Sequence, residues 1–271
     1  MTGSDVPYKT EPKAAPGHGH HAHHHLSAWP LWVAIAAPLF AIGLVTNPYI
    51  LVFGGLLLAF SVAGWIYEDY REFPKGPNPL TQHTQGIKDN GWWGIVLFLA
   101  TEVVLFGSIF GVWFTAKAYS ETGWPPAGTA ELPVVATAIN TAILVASGFV
   151  MQWGEGGLKT GSRKRFLAGF GGAIILGGIF LAGQVLEYIE LVEHGFVLGQ
   201  NIYTTTFYML TGTHGIHVAG GLVFLIIVFV RGMFGQFDHE RHTAVTAAAY
   251  YWHFVDIVWL FLFAVVYLEL L

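Results

Sequence analysis

Glu102, Glu187, His214, His217, His253 and Asp256 are ionisable side chains standing within long apolar runs of the sequence. An Asp at the centre of a membrane helix costs roughly 2.5–3.5 kcal/mol on insertion scales, so each such group calls for a partner or a task. Glu102 has two readings. It can be a neutral, hydrogen-bonded acid that ties two helices together, or a carboxyl that exchanges a proton.

His214 and His217 lie three residues apart in Thr211-Gly-Thr-His-Gly-Ile-His, and therefore share a helix face. His253 and Asp256 do the same in Trp252-His-Phe-Val-Asp-Ile-Val-Trp259. Imidazole with carboxylate suits zinc, iron or copper. Interhelical hydrogen bonding explains these residues more simply, together with Asn140 and Gln184, because such bonds commonly join membrane helices. No metal is assigned to the chain. Arg71, followed by Lys75 and His83, stands just beyond an apolar run, where a base can obey the positive-inside rule or hold a lipid phosphate. Glu187 and Glu190 fall near a span end, where a solvated face is the simpler expectation. The histidines at 18, 20, 21 and 23–25 belong to a polar low-complexity tail.

These groups need elements to position them, and the elements are helices for crossing a bilayer. About 20 mainly apolar residues span the hydrocarbon. Segments 29–46, 49–67, 92–119, 133–153, 166–189, 203–230 and 244–270 meet that description. Asn47-Pro48 joins the first two so tightly that they read as an antiparallel hairpin. Trp29, Trp32, Trp65, Trp92, Trp93, Trp153 and Tyr203 sit near span ends, as interfacial aromatics do. Seven spans place eleven of the twelve Lys and Arg residues on one side, leaving only Lys117 on the other. By the positive-inside rule the N-terminus is inside and the C-terminus outside. The expected organisation is a tail over 1–28, a hairpin over 29–70, an inner loop over 71–91 and a five-helix bundle over 92–271.

Composition agrees with this picture. Hydrophobic residues make up 54% of the 271 and charged ones 11%, against about 25% in soluble domains. The mean hydropathy is +0.55. Cysteine is absent, which excludes disulfides, thiolate metal ligands and cysteine nucleophiles. A net charge of -5 argues against nucleic acid, which calls for a basic stripe. On the residues alone, transporter, receptor and non-catalytic subunit of a larger complex remain open.

Several segments, taken in order, carry a family resemblance. They include Leu99-Ala-Thr-Glu-Val103, Trp124-Pro-Pro126, Asn140-Thr-Ala-Ile-Leu-Val-Ala-Ser-Gly148 and Gln184-Val-Leu-Glu-Tyr188. The longest run from Tyr203 to Val218 and from Ala247 to Phe263. From about Trp65 to the C-terminus the chain resembles subunit III of the haem-copper terminal oxidases, the cytochrome c oxidase subunit III family. Gly154-Glu-Gly-Gly-Leu158 departs from it, lacking the paired histidines that many members have there.

The resemblance implies an all-α membrane protein of seven helices, two plus five, with a lipid-filled cleft and the N-terminus inside. It implies a cell inner membrane or an equivalent energy-transducing one. It casts Glu102 as the family's buried carboxylate, related to proton uptake, and Arg71 and His83 as phospholipid ligands. Glu187, His214, His217, Trp252, His253 and Asp256 become packing and interhelical hydrogen-bonding residues. The chain is then a non-catalytic subunit with no cofactor of its own beside bound phospholipids, packed on subunit I, which carries haem and copper, with subunit II in the complex. Its expected work is to support proton uptake, lasting turnover and oxygen access through the cleft. A stand-alone proton or ion transporter, and an accessory protein of a nitric oxide reductase, are the alternatives.

Overall fold

The computed structural model describes residues 27–72, 90–121, 123–237 and 242–270. Among them every long element is a helix: α1 (Trp29–Thr46), α2 (Pro48–Glu72), α3 (Asn90–Ala118), α4 (Val134–Lys159), α5 (Arg163–Glu193), α6 (Ile202–Met233) and α7 (Thr243–Leu262). The last runs on into a single π-helical turn, Phe263–Tyr267. Backbone groups find no partners in hydrocarbon, so a crossing segment must satisfy its own, and helices do so within one segment. α2 to α7 are long and apolar enough to cross a membrane. α1, with 18 residues, covers about 27 Å at 1.5 Å per residue.

The chain divides into two compact units, one ending at Lys75 and the other beginning at Gly76. The first holds α1 and α2. Its turn is a single residue, Asn47, whose side-chain oxygen accepts from the Tyr49 N–H at 2.8 Å. Pro48 opens α2 at the first helical position, where a missing N–H costs nothing. Ser27 Oγ donates to Glu68 Oε2 at 2.6 Å, and Trp29 meets Phe60 edge-on at 5.6 Å. Both contacts tie the open end of the hairpin.

The second unit holds α3 to α7. Ser162 caps α5 through the Arg165 N–H. Asn201 and Thr204 form a reciprocal capping box at the start of α6, satisfying two of its orphan donors. α5 and α6 contain 31 and 32 residues, about 47 Å each. They outrun a hydrocarbon core of about 30 Å. α4 continues past Trp153 to Lys159, because hydropathy marks only the lipid-buried part of a helix. α7 is the central helix: 56% of its most apolar window is buried, against 17% for α3. Trp252 and Trp259 are fully buried on it.

Candidate functional site

The clearest polar site joins helices distant in sequence. Glu102 on α3 meets His217 on α6, with Nε2 and Oε2 2.9 Å apart. The two side chains keep 14% and 15% exposure respectively. His217 Nδ1 lies 2.7 Å from the Thr213 carbonyl oxygen, one turn back. A carbonyl only accepts, so Nδ1 carries the hydrogen. The Nε2–Oε2 contact therefore holds one proton, either as imidazolium with carboxylate or as neutral imidazole with carboxylic acid. Phe106 packs edge-on against the imidazole at 4.9 Å. The Tyr251 hydroxyl of α7 donates to the His217 carbonyl at 3.1 Å. Three helices thus fix the pair.

His214 is one turn away and turned elsewhere. It is fully buried, stacked on Trp259 at 4.8 Å, with Phe180 edge-on at 6.0 Å. Neither of its ring nitrogens has a hydrogen-bond partner among the described residues. The shared face of His214 and His217 therefore does not become a shared site.

A second acid–imidazole pair lies on α7, on the side that faces α4. His253 Nδ1 is 3.8 Å from Asp256 Oδ2, too far for a hydrogen bond. On its other side Nε2 is 2.8 Å from Gln152 Oε1. Gln152 in turn donates to Glu155 Oε2 at 3.2 Å. Towards the bundle interior, α7 is pinned to α4 by two indoles. Trp252 Nε1 donates to Ser147 Oγ at 2.9 Å, and Trp259 Nε1 to Thr141 Oγ1 at 2.8 Å. We expect Trp252→Phe to cost about 0.6–1.7 kcal/mol, the range for interhelical hydrogen bonds in lipid. Thermal unfolding of the purified protein in detergent checks this.

Glu187 corrects the sequence expectation of a solvated face. It is buried, and it accepts from Thr137 of α4 at 3.0 Å and from Tyr267 of the π turn at 2.6 Å. The cause is the chain's final bend, which carries a tyrosine hydroxyl onto the acid. Glu190, one turn further along, is exposed as expected. Asn140 donates to the Phe180 carbonyl at 2.9 Å, and Gln184 is buried on α5. Arg71 stands in the last turn of α2 with its guanidinium 5.9 Å from the Tyr67 ring centre. His83, Lys75 and the His-rich tail lie outside the described residues.

Sequence reading missed Gln152, Tyr251 and Tyr267 as polar partners. The one available signal was an amide inside the apolar run 133–153. Among the described residues no three His, Cys, Asp or Glu side chains converge on a possible metal position. The first pair joins α3 to α6, the second lies within α7, and each offers two donors.

A bundle of long apolar helices with acid–imidazole pairs at membrane depth defines a multi-pass integral membrane protein. The model of the family "Cytochrome c oxidase subunit III" matches residues 18–269. The chain is 36% identical over 262 residues to "Cytochrome c oxidase subunit 3" of Tachyglossus aculeatus aculeatus, covering 92% of this chain and 98% of that one. It is 34% identical over 251 residues to the protein of that name from Pelomedusa subrufa, with 89% and 94% covered. The Anopheles gambiae protein is 36% identical over 262 residues, with 92% and 97% covered. The chain belongs to the cytochrome c oxidase subunit III family, and is subunit III of a haem-copper oxidase.

Proposed function

We propose that the chain packs on subunit I of a proton-pumping terminal oxidase and performs no redox step itself. Haem and copper reside in subunit I, where oxygen is reduced to water, and subunit II completes the complex. By the relatives' names the electron donor is cytochrome c. The task of this chain is to sustain proton supply and working life during turnover, and the Glu102–His217 pair serves it by holding a proton at membrane depth. That pair, in a chain matched to the family over almost its whole length, is the observation that carries the reading. The charge asymmetry supports an N-terminus inside and a C-terminus outside an energy-transducing membrane.

Gentle solubilisation of the native complex tests this. We expect the chain to migrate with a haem absorption spectrum and a larger subunit. Migration alone and free of haem would sink the reading.

Arg71 at the end of α2 is proposed as an anchor for a lipid phosphate, since guanidinium and phosphate pair by two parallel hydrogen bonds. Arg71→Ala should strip a tightly held anionic phospholipid from the purified protein, measured by mass spectrometry of extracted lipid. Full retention removes the anchor.

A further inference from the structure

A groove of about 300 Å³ opens on the bundle surface, lined by Val145, Gly148 and Phe149 of α4 and by His253, Asp256, Ile257 and Leu260 of α7. Most of this lining is apolar, and Phe149, Ile257 and Leu260 are exposed. Its floor is not. Among the described residues the Asp256 carboxyl has one polar partner, the long contact to His253. Its Oδ1 is buried without a partner, and its Oδ2 has only the His253 nitrogen at 3.8 Å. One-tenth of the side chain remains accessible.

Gly148 makes this placement possible: a Cβ built there would stand 2.3 Å from Asp256 Oδ2, so any larger residue would displace the carboxyl. From the same floor the polar series continues through His253 and Gln152 to Glu155. Hydrocarbon offers such a surface no donor, and ionisable groups at this depth almost always pair or face protein. Side chains that hydrogen-bond across membrane helices supply what lipid cannot.

We propose that this groove between α4 and α7 is a docking surface for a transmembrane helix of another oxidase subunit. That helix presents an N–H or O–H donor to Asp256 at membrane depth and lays apolar side chains against Phe149, Ile257 and Leu260. The complementarity is specific: a buried carboxyl oxygen, Asp256 Oδ1, without a partner, ringed by apolar contacts. The proposal rests on the chain's place in an oxidase complex, and goes further in saying which face joins.

Photo-crosslinking in native membranes tests it, with benzoylphenylalanine at Phe149 or at Ile257, both lipid- or partner-facing positions that leave the core untouched. The expected product joins this chain to another oxidase subunit. Products with lipid alone, with a second copy of the chain, or within the chain overturn the docking surface. Co-purification of the same variants with haem would then leave the subunit reading standing, so the two failures are distinguishable. Asp256→Asn preserves the shape of the side chain and should lower the crosslink yield from Phe149 several-fold. An unchanged yield overturns the part given to the carboxylate.

Discussion

Glu102→Gln is expected to leave the fold and the assembled oxidase intact while reducing proton uptake and the number of turnovers completed before inactivation. The argument is local. His217 keeps its Nδ1 hydrogen on the Thr213 carbonyl, so its free Nε2 lone pair can accept from the amide of a glutamine. The interhelical link survives, and stability should change by no more than about 0.5 kcal/mol, as for mild substitutions that leave partners satisfied. What disappears is the proton that the acid could give up. Glu102→Leu removes the link as well and leaves Nε2 unpartnered, at a cost of about 1–3 kcal/mol. Comparing the two variants separates helix joining from proton holding. Proton-uptake kinetics and activity over many turnovers are the readouts. If Glu102→Gln behaves as the parent in both, the residue is structural.

Gly169→Ala should be strongly damaging. A Cβ built at Gly169 falls 2.3 Å from the Cα of Gly154, and backbone cannot rotate aside as a side chain does. α4 and α5 must separate along their whole contact. Overpacking of this kind costs about 1–3 kcal/mol, occasionally more, and small residues are what permit such close helix packing in lipid. Gly178 on the same helix provides the contrast, because a Cβ there meets nothing within 4 Å. Alanine at that site should be neutral or stabilise by up to about 1 kcal/mol, the ordinary helix preference over glycine. Equal midpoints for the two variants in detergent unfolding would show that the close approach carries no energetic weight.

The helices were legible because the bilayer writes them into composition: each crossing must be apolar for about 20 residues, and the first segment, 29–46, coincides with α1. The same logic blurred the ends, as the run from Trp153 to Lys159 shows. Pairing was harder. Glu102 and His217 are 115 residues apart, and nothing in local spacing couples them. Spacing did put His214 and His217 together, but three residues on a helix leave about 60° between side chains. That suffices to send one ring to Trp259 and the other to Glu102. The solvated face read for Glu187 from its position alone failed for a related reason, whereas the family resemblance cast it as a hydrogen-bonding residue. Its partner Tyr267 lies 80 residues away, on a π turn that a 3.6-residue period does not describe.

The hydrogen bond from His217 Nδ1 to the Thr213 carbonyl has a consequence for traffic. An imidazole conducts by accepting a proton on one nitrogen and releasing another from the opposite one. Here the opposite nitrogen faces a carbonyl of its own helix, which takes no proton. With the ring clamped in this orientation, whatever enters through Glu102 must leave by the same door. On the proposed proton-holding role, this makes the pair a reservoir, filled and emptied from one side, and not a link in a wire.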